Sequence, residues 1–258
     1  MITLERASVV APALEAQVTL LEPTTLQLAE QRISIIGSNG SGKSTLARLL
    51  NGLIVPSSGS VHFRVPSSEH RDQALGAHLN PESNSPNTSA RTLDTAKDGA
   101  KVRRHVGFVF TDPSAQLVMP TAIEDISLSL RRSHPNKQAR LEAARAALCE
   151  FGLGEFADRS VHTLSGGQKQ LLAIAAVLAA RPTILVADEP TTLLDLRNSL
   201  RVRELLMSLP QQVIVATHDL ELAAQAQRTL VLAHARIVFD GTPDAAIDYY
   251  RSSVAAGS

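Results

Sequence analysis

The sequence predicts an α/β fold built around a parallel β-sheet, and three features of its 258 residues support that prediction. Four short apolar runs show little alternation: Ile33–Ile36, Val106–Phe110, Ile184–Ala187 and Val213–Ala216. Strands of a parallel sheet that is covered on both faces have this composition. The first run leads into a glycine-rich loop and a helix, and the third ends in two carboxylates, Asp188 and Glu189. We therefore expect a parallel core sheet with loops that carry chemistry at the strand ends.

The glycine-rich loop fits the phosphate-binding pattern G-x-x-x-x-G-K-[S/T] in full. The loop consists of Gly37, Ser38, Asn39, Gly40, Ser41, Gly42, Lys43, Ser44 and Thr45. A strand precedes it and a predicted helix over Leu46–Asn51 follows, so backbone N–H groups and a helix N-terminus point at one spot where phosphate charge is stabilised. Gly40 and Gly42 let the backbone come close to the phosphates. Lys43 then reaches the β- and γ-phosphates, and the Ser44 hydroxyl ligates Mg²⁺.

The carboxylates after Ile184–Ala187 are expected to lie beside the phosphate loop. Asp188, at the tip of the strand, is then placed to hold Mg²⁺ through water, and Glu189 to polarise the attacking water. An Asp-Glu pair by itself is a weak signal, because any strand can end in acids. Its meaning here depends on the phosphate loop before it and on the motif Leu164-Ser165-Gly166-Gly167-Gln168-Lys169-Gln170.

Together these motifs resemble the ATP-binding-cassette ATPases over nearly the whole chain. The resemblance implies a single domain over residues 1–258, with a parallel core sheet, an antiparallel N-terminal β subdomain and a helical subdomain at about 112–180 that carries the Leu164–Gln170 signature. It also implies that the cofactors are ATP and Mg²⁺. Ser165, Gly166 and Gly167 would open a helix whose positive N-terminus caps the ATP of a second subunit, so that two chains bury two ATPs.

Two further positions take roles from the same resemblance. Asp195, in Leu193-Leu194-Asp195, fits the loop that crosses the dimer interface, and His218 fits the switch histidine.

Thr111 stands where the family usually has glutamine. We expect its oxygen to reach Mg²⁺ through a bridging water, since Gln116 matches a second glutamine of the family and should face elsewhere.

Finer phrases resemble the energy-coupling-factor ATPases of vitamin and metal importers, most of all the ATPase of biotin importers. The wider resemblance rests on Phe108–Leu117 and Asp188–Asn198. The resemblance to the biotin-importer ATPase rests on Arg32-Ile33, Ala47–Leu53 and Val118–Thr121. The resemblance implies a homodimer or a heterodimer with another cassette, a transmembrane coupling subunit, a substrate-binding membrane subunit and a peripheral place on the cytoplasmic face of the plasma membrane. Two alternatives stay open: a soluble cassette ATPase, and a nucleotide-gated assembly module with little turnover. The apolar residues Leu117–Pro120 fit a docking groove for a membrane partner and a core equally well.

Composition limits the remaining classes. Lys and Arg total 25 and Asp and Glu total 25, so the chain lacks the basic excess of a nucleic-acid-binding protein. The longest apolar run, Leu171–Ala180, is half of the roughly 20 residues that a membrane span needs. The only cysteine, Cys149, excludes an internal disulfide.

Two segments of the N-terminal half carry separate expectations, a disordered insertion and, before it, the strands of the antiparallel sheet. Residues 66 to about 98 are rich in Pro, Ser, Asn and Thr and contain no Val, Ile or aromatic residue, which predicts a disordered insertion, with a docking arm as the alternative. Residues 2 to about 30 read as short strands with turns at Pro12 and Pro23. No aromatic residue precedes Phe63, so an aliphatic residue around Ala11 to Val18 must contact the adenine ring.

Overall fold

The structure is a computed structural model that describes residues 1–12, 17–66 and 90–256. Its strands, in chain order, are β1 (Ile2–Pro12), β2 (Gln17–Leu28), β3 (Arg32–Gly37), β4 (Ser58–Pro66), β5 (Ala90–Asp94), β6 (Val106–Val109), β7 (Ile184–Asp188), β8 (Gln212–Ala216), β9 (Arg228–Ala233) and β10 (Arg236–Gly241). Its helices are α1 (Lys43–Asn51), α2 (Thr95–His105), α3 (Ala122–Ser129), α4 (Lys137–Glu150), α5 (Gly166–Ala179), α6 (Leu196–Ser208), α7 (Leu220–Ala223) and α8 (Pro243–Ala256).

The central sheet has the strand order β10-β9-β3-β8-β7-β6. All its neighbouring pairs run parallel except β10 and β9, and the four predicted apolar runs form β3, β6, β7 and β8. Every residue of β3 and of β7 is buried. The expectation of an α/β fold on a parallel core sheet is therefore confirmed.

The second sheet, with the order β2-β1-β4-β5, is antiparallel. It packs its apolar face, including Ile2, Leu4 and Phe63, into the same core as α1 and the central sheet. The prediction of a turn at Pro23 is wrong, because Pro23 lies within β2. Proline is tolerated there since β2 is an edge strand and its register with β1 is interrupted between Ala7 and Val9.

The predicted disordered insertion is wrong at its C-terminal end, because residues 90–98 form β5 and the first turn of α2. β5 pairs with β4, and its single large apolar side chain, Leu93, is buried in the core. The Asp94 side chain then caps α2 by accepting hydrogen bonds from the N–H groups of Ala96 and Lys97. Composition missed this order because backbone pairing and one cap supply it. Residues 67–89 lie outside the described residues.

On the other face of the central sheet α5 packs against β6, and α3 and α4 pack against α5 and against each other. Thr121 and Glu124 make a capping box at the start of α3. α5 is apolar over most of its surface, and residues 171–175 are buried between the sheet and α3. Among the described residues no helix has the length and apolar content needed to cross a bilayer.

Candidate functional site

The candidate site lies at the edge of the central sheet where the parallel strands β3, β7 and β8 end. Ligands of open α/β sheets bind at this edge, because neighbouring loops converge there. β3 ends at Gly37, β7 ends at Asp188, and His218 follows β8 by two residues. Three motifs that are far apart in the sequence are thus brought together by the strand order β3-β8-β7.

The phosphate loop keeps a conformation that its glycines permit. Gly40 and Gly42 have φ angles of 77° and 105°, in the left-handed region that disfavours other residues. A side chain at Gly37 would place its Cβ 2.2 Å from the backbone oxygen of Leu232. The Lys43 ammonium is held inside the loop by the carbonyl oxygens of Gly37 at 2.8 Å and Ser38 at 3.1 Å. The loop is therefore already folded around its cation.

The loop also has unused polar capacity, which tests whether a phosphate group fits. The Ser41 hydroxyl is buried and has no hydrogen-bond partner among the described residues. The loop opens α1 at Gly42, and within the described ranges no side-chain hydrogen bond caps that helix N-terminus. Unpaired N–H groups at a helix start bind anions. A polyphosphate chain therefore fits this loop.

The Mg²⁺ ligands predicted from the sequence meet in the structure. The Ser44 hydroxyl donates to Asp188 Oδ1 at 2.9 Å. Asp188 is buried, and this burial raises the pKa of its carboxyl, an effect that the Ser44 hydrogen bond partly offsets. One carboxylate and one hydroxyl, with phosphate oxygens and waters to complete the shell, suit Mg²⁺. Mg²⁺ bound here would supply the positive charge that the buried Asp188 carboxylate lacks.

Glu189 and His218 are in direct contact. His218 Nδ1 lies 2.7 Å from Glu189 Oε2, and the Thr192 hydroxyl donates to the same oxygen at 3.1 Å. Glu189 Oε1 lies 3.7 Å from Lys43 Nζ. The backbone of Glu189 has a φ of 51°, a strained value for a residue with a side chain, and strain of this kind is concentrated at functional sites. The carboxylate is therefore held beside the phosphate loop by contacts on both of its oxygens.

Thr111 is placed next to the predicted metal ligand. Its hydroxyl donates to the backbone oxygen of Asp188 at 3.0 Å, which leaves the lone pairs of the hydroxyl free to accept from a water. Gln116 faces elsewhere, as expected: its Oε1 accepts from the Phe110 N–H at 3.1 Å and its Nε2 donates to the Ala173 carbonyl at 3.2 Å. The structure therefore leaves only Thr111 of these two side chains near Asp188.

The signature and the Asp195 loop lie side by side. Ser165 and Gln168 make a reciprocal capping box at the start of α5, and Ser165 and Gly166 are exposed. A Cβ on Gly166 would lie 3.7 Å from the Leu193 carbonyl oxygen, and one on Gly167 would lie 2.4 Å from Asn198 Cγ. Asp195 caps α6 by accepting from the Asn198 N–H at 2.8 Å. A side chain at position 167 would have to displace the Asn198 side chain, so the start of α5 lies directly against the Asp195 loop.

The described residues include only part of the stretch expected to contact adenine, and they add site residues that the sequence analysis did not find. Of the stretch proposed to contact adenine, Val18 is exposed on β2, whereas residues 13–16 lie outside the described residues. Sequence reasoning missed Thr192, whose hydroxyl binds Glu189, although its position three residues after a catalytic candidate was a signal. It also missed Arg203 and the role of Asp219, for which no local pattern exists.

Comparison with known proteins agrees with this geometry. The profile of the ABC transporter family matches residues 21–192. The chain is 39% identical over 236 residues to the biotin transport ATP-binding protein BioM of Rhizobium etli, covering 91% of this chain and 92% of that protein. It is 39% identical over 215 residues to the energy-coupling factor transporter ATP-binding protein EcfA1 of Bacillus licheniformis, covering 82% and 67%.

A solved structure with a closely similar fold is the dimeric ATP-binding cassette MJ0796 in a post-hydrolysis state, bound to ADP and phosphate. It superposes with a TM-score of 0.75 at 27% identity, over 94% of this chain and 99% of that one. The resemblance to the energy-coupling-factor and biotin-type ATPases is thereby confirmed, and so are the cassette fold and the binding of ATP. The chain therefore belongs to the ABC transporter family, as an ATP-binding-cassette ATPase.

Proposed function

We propose that the chain is the ATP-hydrolysing motor subunit of a membrane importer for a vitamin or a metal ion, with biotin as the first candidate. It would act as a dimer of cassettes on the cytoplasmic face of the membrane, with a transmembrane coupling subunit and a substrate-binding membrane subunit. The observation that carries the proposal is the similarity over nearly full length to a protein named for biotin transport. An energy-coupling-factor ATPase at the same identity supports the wider class.

The proposed catalytic roles follow from the contacts at the site. Lys43 would turn from its two carbonyl partners towards the β- and γ-phosphates. Glu189 would accept a hydrogen bond from the attacking water and so polarise it. His218 holds Glu189 Oε2 and so fixes the direction in which that carboxylate points. Ser44, Asp188 and Thr111 would hold Mg²⁺, whose charge would offset that on the phosphates when it is bound.

A groove of about 320 Å³ supports attachment to a membrane partner. Its lining includes Leu53 after α1, Phe110 and Val118 from the loop after β6, and Ala176 of α5. Val118 is 67% exposed, whereas its neighbour Leu117 is buried in the core. The Asp125 carboxylate pins this loop by accepting from the N–H groups of Val118 and Met119, both at 2.9 Å. The groove thus presents an apolar side chain on a fixed backbone, as a docking site for a helix requires.

The test is purification from membranes. The tagged chain, expressed in its own host, should co-purify with integral membrane proteins, and labelled biotin should accumulate only in cells that hold the intact complex. Val118→Asp should release the membrane partners while the isolated subunit keeps its ATPase activity, because it replaces an exposed apolar contact by a charge that must be desolvated on docking. Val254→Asp, at an exposed position of α8, is the matched control.

Three outcomes are informative. Uptake of a different vitamin or of a metal ion would correct the substrate and keep the motor role. Recovery of the wild type as a free soluble dimer would favour the soluble cassette ATPase or the assembly module. Membrane partners retained by Val118→Asp would remove the groove from the interface.

A further inference from the structure

We propose that Arg203 is a positioning residue for ATP hydrolysis, which ties the helix that carries Asp195 to the turn that carries His218. The inference rests on the proposed roles of Glu189 and His218 and goes beyond them, because Arg203 belongs to none of the motifs in the sequence. Arg203 lies on α6, two turns after the Asp195 cap, at a distance of about 12 Å along the helix.

Arg203 is a buried cation with two carboxylate partners. Its side chain is 11% exposed. Nη2 forms an ion pair with Asp219 Oδ2 at 2.7 Å, and Nη1 donates a hydrogen bond to Glu221 Oε2 at 2.5 Å. The planar guanidinium can hold two acids in fixed directions, which a lysine ammonium cannot. The guanidinium therefore clamps the segment that directly follows His218.

The Asp219 carboxylate connects three segments: α6 through Arg203, the start of α7, and the loop that carries Thr191. Its Oδ1 accepts from the N–H groups of Glu221 and Leu222 at 3.1 Å and so caps α7. Its Oδ2 accepts from the Thr191 hydroxyl at 3.4 Å and forms the ion pair with Arg203. The Asp219 carboxylate is only 12% exposed, so little water is available to replace a lost partner.

These contacts surround the pair that is proposed to perform hydrolysis. Asp219 follows His218 in the chain, and Thr191 lies two residues after Glu189. The two partners of the 2.7 Å contact between His218 Nδ1 and Glu189 Oε2 are therefore both close in sequence to the Asp219 interactions. His218 adjoins Asp219 itself, and Glu189 is two residues from Thr191, whose hydroxyl donates to Asp219. Loss of Arg203 leaves a poorly solvated carboxylate without its cation, and such a group moves towards water or takes up a proton.

The role predicts a specific kinetic defect. Arg203→Gln should lower kcat by about tenfold or more, because small displacements of catalytic groups are costly in rate. The KM and Kd for Mg-ATP should stay within about twofold, since Arg203 has no contact with the phosphate loop. Arg201→Gln is the matched control: Arg201 is on the same helix and its Nη2 donates to the Phe151 carbonyl at 3.0 Å. Its kcat should match the wild type.

Two more variants separate positioning from general stability. Arg203→Lys keeps the charge but not the planar fork, and its kcat should recover only to about threefold below that of the wild type. Adding Asp219→Asn to Arg203→Gln removes the unpaired charge, and the double variant should be faster than Arg203→Gln alone. If Arg203→Gln does not fold, Arg203→Lys serves as the test. Its kcat should then be about threefold below that of the wild type, with an unchanged KM.

A folded Arg203→Gln with wild-type kcat would overturn the proposal, as would equal losses in Arg203→Gln and Arg201→Gln. In the fallback case, an Arg203→Lys kcat equal to that of the wild type would overturn it. Glu189→Gln is assayed in parallel. If Glu189→Gln hydrolyses ATP normally, the proposed catalytic pair fails; if it is inactive while Arg203→Gln is normal, only the positioning role fails.

Discussion

Replacing Glu189 by glutamine removes one negative charge from the site and keeps the shape of the side chain. The amide oxygen of glutamine can still accept from His218 or from the Thr192 hydroxyl, so the local hydrogen bonds persist. The proposed polarising carboxylate and the 3.7 Å ion pair with Lys43 are both lost. We therefore expect turnover and ATP affinity to change in opposite directions.

The two magnitudes can be worked out separately. A positioned general base contributes about 100- to 10,000-fold to rate, which corresponds to about 3–5.5 kcal/mol of activation free energy. Lys43 and Glu189 are nearly buried, so desolvation offsets much of their attraction, and we take about 1 kcal/mol, the upper end for exposed pairs, as the net stabilisation. Releasing Lys43 from that pair should lower the Kd for ATP by about fivefold. Removing a carboxylate from the vicinity of the γ-phosphate acts in the same direction.

The assay combines steady-state phosphate release, equilibrium ATP binding and size-exclusion chromatography with Mg-ATP. Glu189→Gln should bind ATP more tightly than the wild type, hydrolyse it at least about 100-fold more slowly and accumulate as an ATP-bound dimer. The control Glu204→Gln makes the same chemical change at an exposed position of α6 and should behave as the wild type. Turnover within about threefold of the wild type would refute the role of Glu189. Weaker ATP binding by the variant would refute the argument from Lys43.

Asp188→Asn should raise the melting temperature of the nucleotide-free protein near neutral pH and abolish stabilisation by Mg-ATP. Burial raises the pKa of the Asp188 carboxyl, so the folded protein binds a proton there more tightly than the unfolded chain does. Above the unfolded pKa the ionised carboxylate therefore lowers the stability of the folded protein. The advantage of asparagine should shrink as the pH falls through the raised pKa. A pH-independent difference, with exposed Asp248→Asn as control, would contradict this account. Thr111→Val removes the hydrogen bond to the Asp188 carbonyl at nearly constant shape and should cost about 1 kcal/mol of unfolding free energy and lower turnover, whereas Thr111→Gln should preserve or raise turnover. Equal rates of the wild type and Thr111→Val at saturating Mg-ATP, with partners present, would leave this position a packing role only.

The sequence predicted those parts of the site whose geometry is local. The phosphate loop is a strand, a turn and a helix start in one run of residues, and its glycines occupy positions that demand them. The cap of α5 is equally readable, because Ser165 and Gln168 stand three residues apart as a capping box requires. In each case the residues that make the structure are neighbours in the chain.

Long-range contacts were not predictable in this way. β5 is ordered by pairing with β4 across a segment of more than 20 residues, and its composition gives no sign of a partner. Arg203 and Asp219 are 16 positions apart and lie on separate elements, so neither reveals the other. Arg32 is a similar case: its guanidinium donates to the carbonyls of Met207 and Gln211 and so fixes the end of α6 to the start of β3. Such side chains bind elements that only the fold brings together.

A short chain of contacts connects the groove to the proposed metal ligands, and it suggests how threonine at position 111 would act in coupling. Phe110 lines the groove, and its N–H is held by Gln116, which also binds α5. Thr111, the next residue, donates to the Asp188 backbone, while the Asp188 carboxylate binds Ser44 of the phosphate loop. An occupant of the groove that displaces Phe110 must therefore strain the Thr111 hydrogen bond or move Asp188 with it. Since threonine is shorter than glutamine, coupling here would pass through the Asp188 backbone instead of a side chain that reaches the metal itself.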